Sequence, residues 1–498
     1  MQVIWFKRDL RLSDHLALQK AMSKGPVLLL YILEPELWQQ PGMSHRQYMF
    51  LGECLRDLAD ACRSRGGNLV IQVGGACEIL QNIHRDYGPI TELWSHQETW
   101  NHWTYQRDRE VAAWAKSVSV SWHQPPQNGV IRALKDRDGW AARWYQTMKK
   151  APLECPDVIH SCHIKSDPWP HPENIGLSDD DCVYRQPGGS SHAWQLLDSF
   201  LRDRGQGYTR EMSSPVTGYH SCSRLSAHIA FGTISIREVF HAAQKRGHEL
   251  SRMPEDARDR WPQAIRSFTS RLRWHCHFIQ KLEDEVSIEW QALHPAYREI
   301  RQEFDEKRFQ AWQQGRTGYP LIDACMRALR AHGWINFRMR AMLMSFASYH
   351  LWLPWQRPAH YLASLFTDYE PGIHYSQVQM QSGTTGMNSL RVYNPIKQGV
   401  DQDPCGKFIR QWVPELAEMD QQTIHMPWLA PSQMNGYPMP IVDEKTARQF
   451  AASQLYGLRR SQSHKKVAQA IVKKHASRKV PRAGRKDIQI PKQGELPL

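Results

Sequence analysis

Residues 315–355 read GRTGYPLIDACMRALRAHGWINFRMRAMLMSFASYHLWLPW, and residues 357–387 read RPAHYLASLFTDYEPGIHYSQVQMQSGTTGM. Leu321, Ile322, Cys325, Met326 and Leu329 recur at helical spacing, which predicts a helix. Thr317 to Pro320 makes a turn ahead of it, and Gly333 interrupts before Trp334. From Ile335 to Trp352 apolar residues come almost all round, so this helix is expected to be buried on most sides. Arg338 and Arg340 stand inside that run. A buried guanidinium is costly unless paired, and Asp368 and Glu370 are the nearest candidate partners downstream. Such a pair either clips two helices together or shapes a site, and spacing alone leaves both open.

The chain of 498 residues has room for two or more domains and an ample core. No apolar run reaches the roughly 18 residues of a membrane helix. The start, MQVIWFKRDLRL, is strand-like and lacks a signal-peptide pattern. The 10 cysteines are scattered with no CxxC pair. They read as reduced thiols, and an intracellular, cytoplasmic monomer is expected. His275-Cys276-His277 looks metal-like in isolation, but adjacent helical residues face different ways, so no metal is assigned. The 20 tryptophans are many; core filling is the default, and stacking on planar ligands is the functional alternative. The formal charge is +13. Most of that excess sits in one tail that holds Arg459, Arg460, Lys465, Lys466, Lys473, Lys474, Arg478, Lys479, Arg482, Arg485 and Lys486 without an acid. A solvated extension is the default for such a run, and nucleic-acid phosphate binding is its functional alternative.

Residues 1–125 alternate short apolar runs with helical patterns. Val3 to Phe6, Val27 to Leu33, Asn68 to Val73, Ile90 to Trp94 and Val118 to Trp122 are the expected strands. Arg46 to Cys62 and Thr104 to Lys116 are among the helices between them. That alternation predicts an α/β domain, a parallel sheet with helices on both faces, Rossmann-like but without GxGxxG after the first strand. Residues 126–190 are rich in Pro, Gly, His and Asp and read as an interdomain linker over the surface. Residues 191–430 turn helical, so an all-α second domain is expected. Residues 431–498 form a C-terminal extension ending in the basic tail.

The run TGYPLIDACMRALRAHGW followed by RMR, with Tyr393-Asn394-Pro395 and the segment Phe408 to Leu416, closely resembles the FAD-binding domain of the photolyase and cryptochrome family. The similarity extends in order from Trp5 to about Leu416. It implies a U-shaped FAD in the helical domain and blue-light chemistry. Cys222-Ser223-Arg224-Leu225-Ser226 resembles the diphosphate-binding motif, with Cys222 where relatives often have Thr, and Tyr208 resembles an upstream diphosphate contact. Ser at a helix start is also an ordinary N-cap. Phe268 and His275 fall on the helix beside the cofactor, His275 where many relatives have Arg. Arg340 and Asp368 match the salt bridge beside the flavin ring, and Glu370 replaces a second Asp. His374 falls at the position facing flavin N5, where a histidine could donate a proton or hydrogen bond. Trp274 matches the tryptophan that stacks on damaged bases. Arg271 falls where dimer-repairing relatives have a catalytic glutamate, and Phe337 where they have a substrate-facing Asn. Trp355 matches the middle tryptophan of the electron-transfer triad. Its flavin-proximal and surface partners align with Val378 and Gln302. The motif Trp5 to Leu12 with Asp14 resembles the antenna domain, where some relatives hold a folate or deazaflavin, and Glu98 falls near it.

The resemblance therefore implies an FAD-dependent DNA photolyase, a carbon–carbon lyase that repairs pyrimidine dimers by electron transfer from excited reduced flavin. A cryptochrome-like photoreceptor without repair activity is the alternative. The expected partner is UV-damaged DNA, with Trp274 and the tail residues Arg459, Arg460, Lys465 and Lys466 as its contacts.

Overall fold

The computed structural model describes residues 1–476. Five parallel strands form one sheet in the order β3-β2-β1-β4-β5: β1 Gln2–Phe6, β2 Val27–Leu33, β3 Leu69–Val73, β4 Glu92–Trp94 and β5 Ser121–His123. The register pairs Gln2 with Val27 on one side and with Glu92 on the other, so the strand order reverses at β1. All seven residues of β2 are buried, as expected for a parallel strand covered on both faces. Alternate side chains split between two cores. Val3, Trp5, Leu28 and Leu30 point to the outer face, where Val111 and Trp114 cover them. Ile4, Phe6, Leu29 and Leu33 point the other way, into a core that continues through Phe231 to Met326 and Met342 of the helical half.

The helices that matter here are α1 His45–Arg63, α2 His102–Ser117, α3 Trp140–Lys149, α4 Ser226–Phe231, α5 Trp261–Asp284, α6 Pro320–His332, α7 Phe337–Ser345, α8 Pro371–Gln381, α9 Glu444–Arg459 and α10 Gln462–His475. Gly333 ends α6 at φ +67°, a left-handed cap that glycine supplies without strain. The helix expected from Ile335 to Trp352 is shorter. Asn336 is its N-cap, α7 stops at Ser345, and one π-turn, Phe346–His350, completes the run.

The two halves meet tightly at α4. Leu10 N–H donates to Phe231 O at 3.3 Å and Arg11 Nη1 to Gly232 O at 2.9 Å. Gly232 has φ +71°, and a Cβ there would lie 2.2 Å from Arg8 O, so only glycine permits this approach. The stretch 126–190 is more than a surface strap: Val130, Trp140 and Trp144 are buried in the helical core against Phe240 and Cys276. Helix α9 lies in the stretch read as a C-terminal extension, yet it packs inward, with Ala451 and Leu455 buried against Tyr297 and Tyr349.

Candidate functional site

The arginine pair of the organising stretch separates by helix phase. Arg340 donates to Asp368 through both Nη atoms, at 2.9 and 2.8 Å, and its Nε donates to Ile335 O at 2.7 Å. Arg338 is about 200° round the helix, and its Nη1 reaches Gln398 Oε1 at 3.4 Å instead of a carboxylate. The Arg340 guanidinium also lies 4.2 Å over the Phe366 ring.

Glu370 does not join this bridge, contrary to its reading as an arginine partner. It lines a cleft together with Arg8, Glu98, Trp100, His275 and Ile279. Its Oε1 is buried without a partner among the described residues. Burial pushes its carboxyl up to about 8, against the pull of Arg8. The native group therefore keeps a proton that the unfolded chain loses at ordinary carboxyl pH. Stability contributed by this group is full below about pH 4.5 and falls as pH rises towards 8. Glu370→Gln mimics the protonated form. The variant is expected to match the parent at pH 5 and to melt higher at pH 8.5; equal melting curves at both pH values would contradict the assignment.

His374 is neutral, because burial lowers it to about 3. Its Nε2 lies 2.9 Å from Ala359 O, which fixes the proton on Nε2. Nδ1 is then a lone-pair acceptor, so the expected donor role is replaced by an acceptor role. Its ring lies 5.1 Å from Tyr375 and 5.5 Å from Tyr369. Tyr375 is in turn 6.5 Å from Trp355, which is buried. Val378 is buried one turn beyond His374. Tyr369 and Tyr375 are thus the aromatic neighbours that link His374 towards Trp355.

The second corner lies around α4. Its N-cap position falls on Leu225, so neither Ser223 nor Ser226 caps the helix with a side chain, and the serine-cap alternative is set aside. Arg224 adopts φ +62°. Its guanidinium lies between Tyr219 at 4.1 Å and Trp334 at 3.9 Å. Nη2 donates to Gln186 Oε1 at 3.0 Å, while Nη1 is buried without an acceptor among the described residues. Arg204 fixes the loop by donating to the carbonyls of Cys222 and Ser223. Burial pushes the Cys222 thiol up to about 11, so it stays protonated. Tyr208 is buried against Phe200 and Phe268, with Arg271 beside its hydroxyl. An unpartnered guanidinium nitrogen beside an uncapped helix start calls for an anion. A planar ring system with N–H donors suits the opposite corner, which offers Asp368, Glu370 and the His374 lone pair. The residues present fit FAD.

On α5, His275 and His277 do diverge. His275 lines the cleft and is lowered to about 4 by burial, whereas His277 meets Arg137. Arg271 Nη2 approaches Met212 Sδ at 3.9 Å, and Asn336 Nδ2 donates to Met212 O at 3.1 Å. Met212 thus joins α5 to the start of α7. Trp274, half-buried one turn along α5, packs on Phe278 at 5.6 Å, and Phe337 is 49% exposed at the head of α7.

In the α/β half, the carboxyl ends of β1 and β4 flank the point where strand order reverses, the usual ligand crevice of open α/β sheets. Arg107 there bonds Glu34 at 2.6 Å, Asp108 at 2.8 Å and also Glu98. Arg8 lies 3.6 Å over Trp100. Asp9, His15 and His96 are close enough to hold a metal. However, His15 Nδ1 accepts from Leu18 N–H, which leaves Nε2 protonated and facing Asp9.

Of the tail residues, Arg459 Nε donates to Tyr297 Oη at 3.1 Å, whereas Arg460, Lys465 and Lys466 are exposed. Helix α10 carries these lysines but buries His464, Ile471 and His475. Arg478 to Lys486 lie outside the described residues. Sequence reasoning missed Arg8, Gln186, Tyr369 and the Met212 junction. Arg8, Gln186 and Met212 act across long sequence separations that no local pattern marks.

Residues 2–172 match the family model for DNA photolyase, and residues 268–456 match that for the FAD binding domain of DNA photolyase. The deoxyribodipyrimidine photo-lyase of Agrobacterium fabrum is 29% identical over 90% of this chain and 96% of its own length. Cryptochrome-2 of Arabidopsis thaliana is 28% identical over 92% of this chain and 79% of its own. Among solved structures, a bacterial class III photolyase from Agrobacterium tumefaciens superposes with TM-score 0.80 at 25% identity, covering 92% of this chain and 98% of that one. An archaeal photolyase from Sulfolobus tokodaii with two FAD molecules gives TM-score 0.75 at 25% identity, covering 92% and 100%. Both halves match separately, their order matches whole relatives, and the helical half carries an FAD-binding domain whose residues suit the cofactor. This chain belongs to the photolyase and cryptochrome family.

Proposed function

We propose that this protein is a light-driven DNA photolyase that splits pyrimidine dimers in UV-damaged DNA. The observation that carries this reading is the rim where Arg271 and Asn336 converge on Met212. Trp274, half-buried one turn from Arg271 on α5, and the exposed Phe337, which precedes Arg338 at the head of α7, stand on the two helices that meet there. Apolar ring faces next to guanidinium groups suit bases extruded from a duplex and the phosphates that flank them. The photolyases among its relatives support the same reading.

Bound in its reduced form, FAD supplies a light-excited electron donor. The chain's residues do the rest. The Arg340–Asp368 bridge and His374 Nδ1 orient the ring. Arg224 and the start of α4 hold the diphosphate. Trp274 stacks on the lesion, and Arg271 stabilises negative charge developing on it, in place of a carboxylic acid's hydrogen bond. In the α/β half, the pocket lined by Tyr31, Glu34, Trp38, Glu98 and Arg107 is the proposed seat of a second planar pigment, a folate or deazaflavin.

The cryptochrome reading, a photoreceptor without repair, is favoured by one observation. Arg271 and Phe337 stand where dimer-repairing relatives carry Glu and Asn. Light-dependent repair by the purified, chemically reduced protein decides between them. Single- and double-stranded DNA with defined cyclobutane dimers or (6-4) products would be offered, with dark controls. Repair in light alone is expected. Its absence with FAD bound and fully reduced would overturn the photolyase reading.

The tail is proposed to add phosphate-binding charge. A cut at Arg459 would remove buried side chains of α10, so the informative cut follows Ala476. It removes Arg478, Lys479, Arg482, Arg485 and Lys486. DNA binding is expected to weaken, and the salt slope to drop by roughly 0.9 for each phosphate that the shortened chain no longer neutralises. An unchanged slope would return the tail to a solvated extension.

A further inference from the structure

Four basic side chains meet where residues 126–139, α5 and α10 pack together, apart from the flavin site. Arg137 precedes α3, His277 and Lys281 lie four residues apart on one face of α5, and His475 ends α10. Their relative exposures are 4%, 3%, 4% and 1% in that order. Arg137 Nη1 lies 3.2 Å from His277 Nδ1. Guanidinium only donates, so Nδ1 accepts and the imidazole proton sits on Nε2. Among the described residues, that Nε2–H is buried without an acceptor, Arg137 Nη2 likewise, and His475 Nδ1 has no partner. The Lys281 ammonium lies 5.1 Å from the Phe278 ring and forms no ion pair among the described residues.

The nearby acids are already engaged. Glu283 faces Arg132 at 4.0 Å. Asp284 accepts from Arg137 Nε through Oδ2 and from Gln280 through Oδ1, both at 2.8 Å. Glu285 holds Lys474 and Ser287. Buried donors are almost always paired, and buried amines nearly always find a counter-charge. Here, among the described residues, Arg137 Nη2 and His277 Nε2 lack an acceptor, and Lys281 lacks a counter-charge.

We infer that this corner is an anion-binding site for a phosphate-class group, whose oxygens accept from Arg137 Nη2, His277 Nε2 and Lys281 Nζ while His475 closes over it. The Lys474–Glu285 ion pair clips the end of α10 to α5 and so sets His475 in place. Burial and the neighbouring cations lower Lys281 to about 7 and His475 to about 3. Arg273 and Lys474 add to the repulsion, and Glu285 opposes it. An incoming anion reverses that repulsion, so its binding takes up protons near neutral pH. The phosphate has two possible sources, a free ion or a DNA strand, since the His277 ring is 5.2 Å from that of Trp274.

The test is calorimetric titration of inorganic phosphate into the full-length, FAD-loaded protein at pH 7, with chloride balancing ionic strength. Two buffers of different ionisation enthalpy report proton uptake. Saturable binding with proton uptake is expected in the parent and at least a tenfold loss in Lys281→Met and Arg137→Gln. Lys281→Met removes an unpaired buried charge, so it is expected to fold and to melt higher than the parent without phosphate. In a second arm, undamaged oligo-dT competes with phosphate if a strand is the source and leaves its affinity unchanged if a free ion is. Absence of saturable binding in the parent, or equal binding in parent and Lys281→Met, would overturn the site. Neither outcome bears on repair.

Discussion

Replacing Arg340 by alanine is expected to leave a folded but largely flavin-free protein. Asp368 is buried and takes both Nη atoms of Arg340, while Nε ties α7 to the carbonyl of Ile335. Deleting the arginine strands a carboxylate where water cannot reach it. Removing one partner of a buried pair costs about 3–5 kcal/mol, and the side chain of Arg340, 23% exposed, puts this case towards the low end. The protein relieves that cost by protonating Asp368 or turning it, and either change spoils the edge offered to the flavin. Flavin per polypeptide, read from the visible absorbance of freshly purified protein, is expected to fall by more than tenfold. Asp368→Ala is expected to do the same, and Arg340→Lys to retain an intermediate amount, since an ammonium keeps the charge and loses the two-pronged geometry. Normal flavin content in both alanine variants would refute the site.

Trp274→Ala is expected to act at the other end of the reaction, on DNA and not on flavin. The indole is half-buried against Phe278 and His277, one turn along α5 from Arg271. Base-on-aromatic stacking contributes about 1–3 kcal/mol. The loss therefore corresponds to roughly 5- to 150-fold weaker binding of damaged DNA. Undamaged duplex, held mainly through phosphates, is expected to bind nearly as before. Flavin content is expected to be unchanged, because Trp274 touches neither Arg340 nor Arg224. Equal losses on damaged and undamaged DNA would mean that Trp274 supports the fold of α5 and does not read the lesion. Arg271→Ala separates the remaining roles. If its charge stabilises the reacting lesion, the yield of repair per photon falls while binding is little altered.

Much of the architecture was legible because it depends on near neighbours. The strand Val27 to Leu33 is read correctly to the residue, since an uninterrupted apolar run between polar turns has one good use in a parallel sheet. The break at Gly333 is legible because a helix stop needs a residue that tolerates positive φ. The π-turn at Phe346–His350 is not, since an all-apolar run carries no mark of where the helix loosens. The stretch 126–190 misleads for a related reason. Its Pro and Gly content hides Trp140 and Trp144, which face the helical core and show their role only when α5 is beside them.

Short-range periodicity was enough for the strands and main helices, and the quoted motifs for the family and for naming candidate residues of its site. What each group does there came from packing between distant parts of the chain. Arg340, not Arg338, bonds Asp368 because helix phase sends them to opposite sides. Glu370 turns to a cleft shared with Arg8, more than three hundred residues away. His374 Nδ1 becomes an acceptor because Nε2–H donates to Ala359 O and so holds the ring's proton on Nε2. The charge, tautomer and partner of a buried group depend on what is packed against it across the chain. That packing is a property of the folded core, and no local stretch of sequence records it.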